Sequence, residues 1–175
     1  MNAEIIEADD HMFVILPEGE LLPESRPPRE EINGLADCFE GCVVIQTGIA
    51  TGSVTVTAEF LDEAPDPDGT DPDDLDRWDD VVEVSVHLPV PGARIRAFED
   101  EGPEDWPDVN HQGPGWYRLR VYCRGRDTEI DATVDESQER YQIVVWPAPQ
   151  TLPVMLRVTD RVGRSMRRKA SRASA

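Results

Sequence analysis

At 175 residues and a formal net charge of −19, the chain has room for one domain with appendages around an ordinary core. The charge is unevenly divided: residues 1–160 hold all 36 acids against 11 arginines, a net of −25, while residues 161–175 hold six basic residues and no acid. A body that negative repels nucleic acid and anionic membrane surfaces and steers cationic partners inward, and no stretch approaches the roughly 18 apolar residues that a membrane-spanning helix needs.

Met1 to Asp10 carries four acids where a secretory signal has basic residues and then an apolar run, so a cytoplasmic protein is expected. Three cysteines, Cys38, Cys42 and Cys123, form no disulfide framework and agree with a reducing compartment. Of the 17 basic residues only Lys169 is a lysine. That skew fits a GC-rich genome, and an acidic, lysine-poor surface also suits high salt.

The elements follow in chain order. His11 to Leu16 is a short apolar strand, Pro28 to Phe39 has room for one or two helical turns, and Gly41 to Thr47 is a second strand. In Ser53 to Phe60 the residues Val54, Val56, Ala58 and Phe60 share one face. Asp62 to Asp80 holds ten acids, three prolines and one arginine, too little apolar surface to offset its ordering entropy, and reads as a mobile loop. Val81 to Leu88 turns Val82, Val84, Val86 and Leu88 inward, and Ala93 to Phe98 is a further short strand. Glu99 to Gly115 is a second acidic connection expected to project from the domain. Trp116 to Arg124 places Tyr117, Leu119, Val121 and Cys123 inward, and Arg140 to Trp146 and Val154 to Thr159 complete the set.

About eight short strands between Pro- and Gly-rich turns predict an all-β fold, an antiparallel β-sandwich with long acidic loops, because each half-buried strand needs a second sheet over its apolar face. Residues 1–160 form the domain. Residues 161–175 are a basic tail, a frayed helix or disordered.

Motifs with chemistry are scarce. The acidic run from Asp66 to Asp76 invites calcium, yet with Gly69 in the sixth position of an EF-hand loop, positions one, nine and twelve fall on Ala64, Pro72 and Leu75. His11, His87 and His111 are far apart and lack metal-ligand spacing, and Cys38 and Cys42 have no second pair. Gly48 to Gly52 lacks the Gly-Lys step of a phosphate loop and leads into a strand. No nucleophile motif is present, so the reading leans away from an enzyme, with no catalytic residue, metal or cofactor assigned. Arg94, Arg96, Arg118, Arg120, Arg124 and Arg157 point outward from their strands, a guanidinium ladder that acids from 62–80 or 99–108 are expected to cover.

From Gly52-Ser-Val-Thr-Val56 through the acidic loop to Val81–Gly92, Gly115–Val121 and Tyr141–Pro149, the order of strands and turns resembles a group of small acidic β proteins common in actinobacteria. More loosely it resembles the competence-protein-J family of nuclease inhibitors. The resemblance spans roughly residues 45–150, rests on no chemical motif, and implies a β-sandwich that neutralises a nuclease.

The expected function is therefore a non-enzymatic acidic binding protein whose partner is a basic nuclease or toxin. Its binding residues are Asp68, Asp71, Asp73, Asp74, Asp76, Asp79 and Asp80, with Trp78 and Trp106 as aromatic anchors unless they fold back onto the core. The alternatives are an enzyme or small-ligand barrel with a pocket near Trp116, Tyr122 and Trp146, and a structural subunit of a larger assembly.

Overall fold

The computed structural model describes residues 2–25, 27–66 and 72–173, the side chains of Pro72 and Asp73 excepted. Among them lie two sheets. The larger has the order β1 (Ala3–Ala8), β5 (Thr51–Phe60), β9 (Thr133–Pro147), β8 (Gly115–Arg124), β6 (Asp80–Leu88), β10 (Val154–Val158); the smaller has β3 (Ala36–Phe39), β4 (Cys42–Gln46), β2 (Met12–Pro17), β7 (Ala93–Arg96). Each of the eight expected segments carries a strand, and β1 and β3 are additional. The larger sheet is mixed, not antiparallel: β5 and β9 run parallel, with Val56 opposite Tyr141 and Phe60 opposite Val145.

Alternation explains the core. The inward residues of β5, β6 and β8, among them Val54, Val56, Val84, Val86, Leu119 and Val121, meet Phe13, Ile15, Ile45 and Ile95 of the smaller sheet in one cluster. Each such side chain contributes about 1.5–3 kcal/mol by leaving water. The smaller sheet is also covered on its other face, where Val14, Leu16, Cys42 and Val44 pack with Met12, Leu22 and Phe39. That is why β2 reads as a continuous apolar run and not an alternating one.

The segment Pro28 to Phe39 departs from the helical expectation. It holds one 3-10 turn, Arg29–Glu31, and then β3. Asn33 redirects the chain, its Oδ1 accepting from the amides of Leu35 (2.9 Å) and Ala36 (2.8 Å) while its Nδ2 donates to the Ala36 carbonyl at 2.7 Å.

Both ends of the core are plugged. Where β5 and β9 finish, Trp106 and Val109 enter the core, Trp106 meeting Phe60 edge-on at 6.4 Å. Buried Asn110 fixes this segment by accepting from the Ala93 amide at 3.1 Å and donating to the Val90 carbonyl at 2.8 Å. The connection 99–115, expected to project, is thus folded back, because it carries apolar residues and an asparagine bonded to the body through both ends of its amide.

At the other end Arg126 is fully buried between two buried carboxylates, Asp160 at 2.6 Å and Asp80 at 3.3 Å, and it donates to the carbonyl of Gly34 at 2.8 Å. Asp80 also receives Arg167 at 3.3 Å and the amides of Thr159 (2.6 Å) and Asp160 (3.0 Å). Asp160 in turn caps helix α2 (Arg161–Arg172), accepting from the Gly163 amide at 2.7 Å. Gly34, at φ +85°, lies so close to Gly163 that a Cβ there would sit 2.6 Å from the Gly163 carbonyl oxygen. Arg161–Arg172 of the tail is therefore a docked helix, and Arg29 holds its far end by donating to the Ala173 carbonyl.

Replacing Arg126 by methionine leaves Asp80 and Asp160 buried without their shared cation. The expected loss is about 3–5 kcal/mol, read in thermal unfolding as a Tm lower by on the order of 10 °C.

Asp37 supplies a pH test. Burial raises its carboxyl above the ordinary value, opposed by the Gln46 amide that donates to it at 2.9 Å; its other oxygen has no hydrogen-bond partner among the described residues. A carboxyl raised on folding stabilises fully below its unfolded pKa, about 3.9, and that contribution is lost as pH rises through the folded value. Urea unfolding should therefore show Asp37→Asn gaining stability over the parent as pH rises from 4 to 7, with the difference shrinking toward acid.

Candidate partner-binding surface

In the larger sheet β5 and β6 run parallel and three positions apart, so their connection cannot be a hairpin. The acidic connection from β5 to β6 is a crossover, and its described parts, 61–66 and 72–79, lie over the outer face of β9 and β8. Among its described residues Pro72–Leu75 forms one helical turn, α1, and Leu75 and Trp78, with Leu61 at its start, pack on Val81, Tyr122, Val144 and Trp146. Trp78 lies 5.5 Å from the Tyr122 ring, with the Arg124 guanidinium over it at 5.8 Å. The expectation of a wholly mobile loop is corrected for residues 72–79, because Leu75 and Trp78 give it a footing.

The expected binding residues separate into groups. Asp68 and Asp71 lie outside the described residues, as does the side chain of Asp73. Asp74 and Asp76 are exposed; Asp74 lies 3.5 Å from Arg77, and Asp76 accepts a hydrogen bond from Arg157 at 2.8 Å. Asp79 is half-buried and accepts from the Gly125 amide at 2.8 Å. Asp80 has no exposed surface and belongs to the Arg126 cluster, so it is no surface acid; it begins β6 and its register points it inward. Trp78 anchors the crossover from beneath, and Trp106 is a core residue at the opposite end of the sheet. Asp62, exposed, flanks the crossover at its start and accepts from Gln112 at 2.9 Å.

The arginine ladder is neutralised mostly from within its own sheet. Glu83 of β6 takes both Arg120 (2.7 Å) and Arg118 (3.4 Å), and Arg118 also donates to the carbonyls of Thr151 and Leu152. Arg96 is satisfied by carbonyls of Leu16, Pro17, Phe98 and Asp100, and Arg94 by those of Pro103 and Trp106. Of the acidic loops expected to cover the ladder, the first supplies Asp76 to Arg157 and the second supplies carbonyl oxygens instead of carboxylates.

A cavity of about 450 Å³ lies between crossover and sheet, lined by Glu59, Asp74, Trp78, Arg120, Tyr122 and Arg124. The three aromatics of the alternative pocket do not converge on it. Trp116 stands at the other end of β8, 5.1 Å from the His87 ring, and Trp146 lies under Arg120. Burial pushes the Cys42 thiol up to about 12 and raises those of Cys38 and Cys123 as well.

No protein-family model matches the chain. No curated protein matches it either. Among solved structures it is similar to ComJ of Bacillus subtilis, an inhibitor of the DNA-degrading activity of NucA, with 14% identity, a TM-score of 0.49, and coverage of 85% of this chain and 96% of that one. The likeness is a loose one. Among the described residues no helix is long and apolar enough to cross a membrane.

Because Trp78 is the main footing of the crossover, Trp78→Ala should loosen it while the core stays folded. Limited proteolysis within 62–79 should accelerate at least several-fold, with a Tm loss of only a few degrees.

Proposed function

We propose that the chain is a non-enzymatic cytoplasmic binding protein that engages a basic protein through its acidic crossover and inhibits it. A nuclease or toxin is the favoured partner, since a nuclease cleft is positive to receive phosphate and a segment studded with carboxylates competes for the same field. The observation that carries this reading is the footing of the crossover: Leu75 and Trp78 hold the segment against the sheet while Asp74 and Asp76, on either side of Leu75, stay exposed. Part of the ordering that binding demands is therefore already made in the free protein. Asp68, Asp71, Asp73, Asp74, Asp76 and Asp79 form the recognition set in this reading, with Trp78 as the anchor of the segment; Asp80 and Trp106 serve it only by holding the fold.

The test is association kinetics with a basic nuclease at two salt concentrations. Replacing Asp71, Asp73, Asp74 and Asp76 by Asn should slow association about tenfold or more and leave Tm nearly unchanged, since exposed pairs contribute only about 0–1 kcal/mol each. Raising salt should do the same, the Debye length falling from about 10 Å at 0.1 M to about 3 Å at 1 M. An association rate indifferent to both would end the charge-steered reading.

A further inference from the structure

Helix α2 presents a feature that the acidic crossover does not use. Arg161, Arg164, Arg168 and Arg172 are exposed and follow one another at intervals of three, four and four residues, so they line one face over about 16 Å. Lys169 is exposed beside them. Arg161 is paired with Asp127 at 3.5 Å, and Arg167 turns inward to Asp80. Arg164, Arg168, Lys169 and Arg172 have no carboxylate partner among the described residues. Yet the chain has 36 acids, more than twice its basic residues, and places none on this helix.

The arrangement is neither loose nor neutral in energy. Arg164 with Arg168, and Arg168 with Arg172, are like-charge neighbours at i,i+4, which weakens the helix. Against that repulsion it is held at both ends. Asp160 and Asp127 accept its first amides, Gly163 is wedged against Gly34, and Arg29 takes the Ala173 carbonyl. A solvated tail requires none of this. A row of guanidinium groups fixed in place and in mutual repulsion gains most from a linear anion.

We propose that the solvent face of α2 binds the phosphodiester backbone of nucleic acid, without reading its sequence. The less polar residues of the helix, Val162, Met166 and Ala170, are partly covered by the body. The outer stripe therefore lacks the apolar centre that a protein interface uses for its energy and the apolar face that an interfacial membrane helix buries. What remains is charge at regular spacing and planar donors suited to phosphate oxygens. The body's −25 does not abolish this, since at physiological salt a charge is screened beyond about 8 Å; it keeps binding weak. The inference is independent of the inhibitor reading.

The experiment is fluorescence anisotropy of the full chain with labelled duplex and single-stranded oligonucleotides of several sequences. Four backbone contacts predict a slope of log K against log salt near about −4 for duplex and about −3 for single strands, hence a loss of about 100-fold for duplex between 50 and 200 mM. Affinity should not depend on sequence. Replacing Arg164, Arg168, Lys169 and Arg172 by Gln should abolish binding with Tm unchanged or raised, whereas Lys at the three arginine positions should retain most of it. Four outcomes would overturn the proposal: no binding by the parent at 50 mM salt, unchanged binding by the Gln variant, equal competition by polyglutamate or anionic vesicles, or equal competition by inorganic phosphate at matched charge. The third would mark a face for acidic proteins or membranes, and the fourth a site for single phosphates.

Discussion

Arg126 ties together parts of the chain that otherwise have no reason to meet. Its guanidinium reaches the carbonyl of Gly34, Asp80 at the start of β6, and Asp160 at the junction of β10 with α2. Asp80 brings in the partly exposed Arg167, so two buried carboxylates and two guanidinium groups balance in charge. Burying such a set is costly, and an apolar core of similar volume is often as stable. What the ions add is direction: each bond has one geometry, and together they fix where β6 begins, where α2 leaves and how the Gly34 turn approaches.

The position of α2 follows from that constraint. Only Gly163 of the helix is buried, so apolar packing contributes little to holding it. Capping by Asp160, the close approach of two glycines and the internal use of Arg167 do that work, leaving the remaining cations outward. The same chain that consumes most of its strand arginines in carbonyl and carboxylate contacts leaves Arg164, Arg168 and Arg172 of α2 without a carboxylate partner among the described residues. Two surfaces of opposite sign result, the acidic crossover on the outer sheet face and the basic helix, in a protein whose net charge alone announces only the first.

The crossover depends on topology in a similar way. Parallel β5 and β6 with two strands between them oblige the acidic segment to cross the sheet, and Tyr122, Val144 and Trp146 give it an apolar floor. At the other exposed edge, β10 carries Val154, Met155 and Leu156 in water, and the bulge between Met155 and Arg157 together with the Arg157 charge blunts that edge against further strand pairing.

What the sequence determined by itself was the local periodicity. Val54 to Phe60, Val82 to Leu88 and Tyr117 to Cys123 declare their inward faces because alternation is a property of one strand, and the division of charge between residues 1–160 and 161–175 is a count. Weak strands escaped it: β1 offers only Ile6 and Ala8 to the core, and the first half of β9, Thr133 to Gln138, is mostly polar and strand-forming only because β5 lies beside it. The candidate site was legible as acidic composition, while its division was not. That Asp76 faces water and Asp80 four residues later is a core ion depends on Arg126, 46 residues further along, and no spacing rule links them. The parallel pairing of β5 with β9, the crossover it imposes and the rigid placement of α2 were likewise decided only in the tertiary structure, because strand neighbours and buried charge partners are chosen by three-dimensional packing between segments far apart in the chain.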